Sequence, residues 1–140
     1  MKTKVKVIKD SPRKKSLDNI ISNGNIRYDK NDPINFIETT YPETSKMFQD
    51  MQFNQWELFC KKQKDYGPKN ISVGSNLETE EEVKLALTGL WFRMNDKMQR
   101  FQQIVMNDQE PENESLMDTF MDIGNYALIA QLVKEKVWGK

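Results

Sequence analysis

No histidine occurs in this 140-residue chain, and cysteine occurs once, at Cys60. Without imidazole the commonest general base is gone, and with it the Ser-His-Asp and HExxH arrangements. One cysteine excludes an internal disulfide and any multi-cysteine zinc site, so a cytoplasmic setting is expected. No run of about 18 apolar residues is present, and neither a transmembrane helix nor a membrane partner is expected. The basic N-terminus is not followed by a continuous apolar stretch, which makes a poor signal peptide. Any enzymatic chemistry would fall to carboxylates, lysines or a bound metal. Oxygen-only sites point to magnesium or manganese rather than zinc.

A net charge of zero conceals an asymmetry. Residues 1–15 hold seven basic side chains against Asp10 alone, and residues 16–140 carry a net charge of −6. A basic arm on an acidic body can contact nucleic acid. Residues 1–40 therefore read as a partly irregular, basic N-terminal arm, and 41–140 as a helical domain. Within the arm, "KVKVIKD" suits a short edge strand or an irregular segment, and a short helix is possible around Leu17 to Ile21. The chain contains no internal repeat.

The fold class expected is all-α, a bundle of three long helices at about 43–65, 79–106 and 114–137. Pro42 suits the opening turn of the first, and Met47, Phe48, Met51, Leu58, Phe59 and Tyr66 form its apolar stripe, a Met-rich surface expected to be core rather than a cofactor site. Gly67 and Pro68 supply the stop. "GPKNISVGSNLE" (67–78) reads as a loop and matches no phosphate-binding pattern. Thr79 and Glu82 make a capping box for the second helix. Val83, Leu87, Leu90, Met94, Phe101 and Val105 share one of its faces, beside a charged stripe of Arg93, Asp96, Lys97 and Arg100. Gly89 predicts a close helix contact or a bend. The third helix is apolar nearly all round, which predicts burial at a bundle centre or a subunit interface, with Phe120, Ile123, Ala127 and Leu128 in the core.

That third helix nevertheless carries Glu114, Asp118, Asp122 and Asn125, grouped within roughly 80° on a helical wheel. The helix dipole favours acids in the first turn, but not two and three turns inside. Buried carboxylates need partners. Two kinds are available: Arg93, Lys97 and Arg100 of the second helix, or a divalent cation. Magnesium or manganese held by Glu114, Asp118 and Asp122 would bridge phosphate oxygens. Lys64, Arg93, Lys97 and Arg100 would then hold a polyphosphate, and Asp96 would add a ligand or activate water. Asn125 and Tyr126 would orient the ligand. Trp91 and Phe92 lie off the second helix's main stripe, so a homo-oligomer is expected.

Three blocks occur in order: "KKQKDYGP" (61–68), "LWFRMNDKMQRF" (90–101) and "ESLMDTFMDIGNYALIA" (114–130). Together they resemble the nucleotide modification associated domain family found largely in bacteriophages, with its K-x-x-DYG, R-x-x-DK-x-x-R and ES-x-x-DT-x-x-D-x-x-NYA pattern. The resemblance covers about residues 45–135. It implies a link to phage nucleotide metabolism or modified DNA bases, in the host cytoplasm, without fixing a reaction. A looser similarity is to MazG-like all-α nucleoside triphosphate pyrophosphohydrolases, which bind magnesium through ExxE and ExxD helices and form dimers or tetramers. This chain has no ExxE on the second helix facing the acidic line, and its acids are spaced by four rather than three. The function so implied is a magnesium-dependent pyrophosphohydrolase of (deoxy)nucleoside triphosphates. The alternatives are a non-catalytic nucleotide-binding or regulatory module, or a nucleic-acid-associated protein using residues 1–15.

Overall fold

The computed structural model describes residues 31–140. The basic arm 1–15, the "KVKVIKD" segment and the helix expected near Leu17 to Ile21 lie outside the described residues. Among those described there are five helices and no strand, so the fold is all-α. The chain divides after Met47, within the second of these helices.

Helix α1 spans Pro33–Thr40. Asp32 caps it, its carboxylate accepting from the Ile34 N–H at 3.0 Å, and Pro33 fits a first turn that needs no N–H. This segment falls within the arm expected to be partly irregular, and Asp-Pro before "INFI" is a helix-start signal. Helix α2 runs Pro42–Tyr66. It stops at Gly67, whose φ of +69° suits a residue without a side chain and whose N–H reaches the Gln63 carbonyl at 2.9 Å.

Where a loop was expected, Lys69–Ser72 form the one-turn helix α3. Ile71 and Leu77 from this segment are almost fully buried. Helix α4 then covers Glu80–Met106, with the expected capping box: Thr79 Oγ1 accepts from Glu82 N–H at 3.2 Å, and Glu82 returns the bond to Thr79 N–H at 3.1 Å. Helix α5 covers Leu116–Lys134, shorter at both ends than expected. Its start is set by Ser115, which makes a second capping box with Asp118. After Lys136, at φ +57°, the chain turns back and lays Trp138 against Phe59 and Pro68.

Helices α4 and α5 are antiparallel, as Arg100 beside Thr119 and Glu80 beside Lys136 require. The core lies between them. Val83, Ala86 and Leu90 of α4 meet Ile129 and Val133 of α5, closed over by Ile71, Leu77 and Trp138. Phe59, Leu87, Tyr126 and Ala130 pack around this cluster.

Three packing expectations are corrected. Helix α5 is not buried all round: Phe120 is 38% exposed and Leu128 57%, while Ile123 and Ala127 are half-buried. One face is buried instead, through Thr119, Asp122, Asn125, Ile129 and Val133. An apolar circumference says nothing about which face will be covered; here the polar line selected it. The Met-rich stripe of α2 is not core either, since Met47, Phe48 and Met51 are exposed and no α2 residue is fully buried. Only Phe59 reaches the core. Gly89, finally, has no atom within 4 Å of where a Cβ would stand, so no close helix contact explains it.

No helix among the described residues is long and apolar enough to cross a membrane.

Candidate functional site

The polar face of α5 is built into a seam with α2 and α4. Asp122 is its centre, with a side chain only 7% exposed. Its Oδ1 accepts from the Lys62 ammonium of α2 at 2.7 Å, and its Oδ2 from the Lys97 ammonium of α4 at 2.7 Å. Lys97 also donates to both oxygens of Glu114, at 2.9 and 3.2 Å. Two carboxylates thus converge on one ammonium nitrogen.

One turn further along α4, Arg100 clamps the start of α5. Its guanidinium donates to the Glu114 and Ser115 carbonyls and to the Thr119 hydroxyl. Thr119 is completely buried, so its oxygen requires such a partner. On the α2 side, two side-chain to main-chain hydrogen bonds join Gln55 to α5. The Gln55 amide donates to the Met121 carbonyl and the Asn125 amide to the Gln55 carbonyl, each at 3.2 Å. Gly124 permits this approach: a Cβ there would come within 2.3 Å of Gln55 Nε2.

The electrostatics follow from burial opposed by pairing. Burial alone would push the Asp122 carboxyl up. Hydrogen bonds from Lys62 and Lys97 and their charges outweigh it and hold the group below the ordinary carboxylate value. Burial would likewise lower Lys97, but Asp122 and Glu114 leave its ammonium raised above the usual lysine value.

Of the residues singled out by sequence, the structure brings together Lys97, Arg100, Glu114, Asp122 and Asn125. It does not bring Asp118 to them as a free carboxylate. Asp118 is exposed and serves the cap, accepting from the Ser115 hydroxyl at 2.7 Å and the Ser115 N–H at 3.3 Å. Arg93 points elsewhere, to the Asn70 carbonyl at 3.2 Å. Asp96 and Lys64 are exposed on α4 and α2, and Tyr126 is half-buried beside the core. Three seam residues were not among the candidate site residues: Gln55, Lys62 and Thr119. Lys62 falls on the line of Gln55 and Phe59, and a lysine on the inward line of a helix calls for a carboxylate. Thr119 sits three residues before Asp122, on the same buried face.

The acids fit a hard cation only in part. Glu114 and Asp122 direct oxygens at a common point, which the Lys97 ammonium fills. Among the described residues, no group of three or more acidic or thiol side chains is gathered as a ready cation site.

A family profile described as "nucleotide modification associated domain 1" matches residues 62–133. The matched span opens on Lys62 and takes in Lys97, Arg100, Glu114 and Asp122. No curated protein and no solved structure matches the chain.

Proposed function

The chain belongs to the nucleotide modification associated domain 1 family, and on that premise we propose that the seam is where it handles nucleotide phosphates. The observation that carries this reading is the sharing of one ammonium, Lys97, by the carboxylates of Glu114 and Asp122. Lys62 and Arg100 stand on either side of that pair. The five side chains sum to a net positive charge, and the Lys62 side chain, 43% exposed, gives a phosphate access to the pair from solvent. Lys64 and Arg93, exposed nearby in sequence, would extend the phosphate contacts. Asn125 and Tyr126 would orient the ligand.

The catalytic form of the proposal is pyrophosphohydrolysis of a (deoxy)nucleoside triphosphate. Water attacks the α-phosphorus, the bond to the β-phosphate oxygen breaks, and monophosphate and pyrophosphate leave. Magnesium or manganese, where bound, would be held by Glu114 and Asp122 and would neutralise phosphate charge. Asp96 would take the proton from water. Asp118 would join only if the Ser115 cap opened. The non-catalytic form is nucleotide binding without turnover, and a specific observation favours it: each oxygen of Asp122 already accepts from an ammonium group. A nucleic-acid role through residues 1–15 is the third form.

Thermal unfolding separates these. Compare the chain in EDTA, in manganese, and in manganese with dATP. Ligand at a hundredfold excess over Kd should stabilise by about 2.7 kcal/mol, seen as a rise of several degrees. Release of pyrophosphate would establish turnover, and a shift without release would establish binding alone. No shift under any condition would leave the seam structural. Deleting residues 1–15 should abolish DNA binding only under the third form.

The proposal includes self-association. Met117, Phe120, Leu128 and Leu132 are each 36–57% exposed along one side of helix α5, away from the Thr119–Val133 face. Such large apolar groups side by side are unusual on an isolated chain. Light scattering at tens of micromolar should give more than the 16.5 kDa of one chain; a monomeric mass would overturn this part.

A further inference from the structure

Away from the seam, a groove of about 400 Å³ lies between the start of α4 and the end of α5. Val83 and Leu87 line it with apolar surface, and Trp91 stands in its wall with the indole 60% exposed. The Phe92 ring meets that indole edge-on, centroids 5.1 Å apart, which restrains it. Lys84 and Lys134 also line the groove; neither forms a salt bridge among the described residues, although the Lys134 charge acts on Glu80. The one acid in the lining, Glu80, is paired with Lys136 at 2.7 Å, a contact that holds its carboxyl below the ordinary value.

We propose that this groove is a second ligand site, taking a free nucleoside monophosphate with its base on Trp91 and its phosphate between Lys84 and Lys134. An exposed indole is a stacking platform for any base. Glu80, Lys84, Lys134 and Lys136 together carry a net +2, which matches one phosphate dianion. The groove is wide open to solvent, so it would hold the ligand by one face. Charge also decides between a free nucleotide and a strand. Residues 16–140 carry a net −6, and Glu78 and Glu81 are exposed beside the groove in sequence. A polyanion would have to run past them, whereas one nucleotide needs only the local cations. The site shares no residue with the seam, so the two readings stand or fall separately.

The test is a titration of the full chain with dAMP, exciting tryptophan at 295 nm. Saturable quenching is expected. Trp91→Ala should remove it, and the variant should fold, because the side chain is largely exposed. Lys134→Glu should weaken dAMP binding about tenfold, the scale of one lost charged contact. Equilibrium dialysis with labelled dAMP checks binding independently of fluorescence. Any thermal shift that manganese and dATP produce through the seam should survive Trp91→Ala. Three results would overturn the proposal: no saturable signal up to millimolar dAMP, dialysis binding that persists in Trp91→Ala, or a dA oligonucleotide that binds more tightly per site than dAMP.

Discussion

Trp138→Ala is expected to cost about 3–5 kcal/mol of folding stability. The side chain is only 7% exposed and belongs to the core although it lies beyond the last helix. Its ring meets Phe59 edge-on at a centroid distance of 6.0 Å. Its indole N–H donates to the Pro68 carbonyl at 2.9 Å. Truncation therefore opens a cavity and removes the carbonyl's partner at once. It also releases the contact by which the C-terminus holds the α2–α3 junction. Against a total stability of about 5–15 kcal/mol, the loss should move a urea midpoint far to the left. Trp138→Phe keeps most of the ring and loses the hydrogen bond, so about 1–2 kcal/mol is expected. A loss below about 1 kcal/mol for the alanine variant would mean that the C-terminal turn does not close the core.

Asp122→Asn is expected to cost about 2–3 kcal/mol at neutral pH. The amide presents an acceptor to one lysine and a donor to the other, so one ammonium faces an N–H. A fully buried broken pair would cost about 3–5 kcal/mol. The value here is lower because the Lys62 side chain is 43% exposed and can reach water, and Lys97 keeps Glu114. The effect depends on pH with a definite sign. The folded carboxyl titrates below its unfolded value, so its contribution is complete above about pH 3.9 and fades as pH falls through the folded value. Lys97 acts at the other end. Its raised value gives a contribution complete below about pH 10.4, lost as pH rises through the folded value. The gap between wild type and Asp122→Asn in urea titrations should therefore be wide at pH 7 and close in strong acid. A gap unchanged at about pH 2 would show that the amide acts by shape, not charge. If the acids chiefly repel one another until a cation binds, the variant would instead be neutral or stabilised in EDTA.

The seam also accounts for the sequence blocks that carry the family resemblance. In "ESLMDTFMDIGNYALIA", Glu114 meets Lys97, Ser115 and Asp118 cap the helix, and Thr119 meets Arg100. Asp122 meets both lysines, Gly124 admits Gln55, and Asn125 holds it. Lys62 and Asp122 are sixty residues apart, yet they form one ion pair.

Local physics determined much of this protein from sequence alone. The three long helices were legible because their starts and stops are local events: Pro42 at the first position of α2, Gly67 after it, and the reciprocal Thr79–Glu82 bonds at α4. The Asp32–Pro33 start of α1 and the Ser115–Asp118 box of α5 were equally local. Reading them would have placed α1 and taken Asp118 out of the acidic line. That Asp122 needed cationic partners was also legible, since a carboxylate two turns inside an apolar helix must be compensated wherever it is buried. Which cations answer it was a tertiary matter. Lys97 and Arg93 stand four residues apart on α4, and only the packing angle decides that one meets Asp122 while the other reaches Asn70. Lys62 enters because α2 approaches α5 at Gly124, a contact that no periodicity records. The same holds for the core. A helix apolar on every side offers no face of its own, so the burial of Ile129 and Val133 and the exposure of Leu128 were decided by the polar line that α2 and α4 had to satisfy.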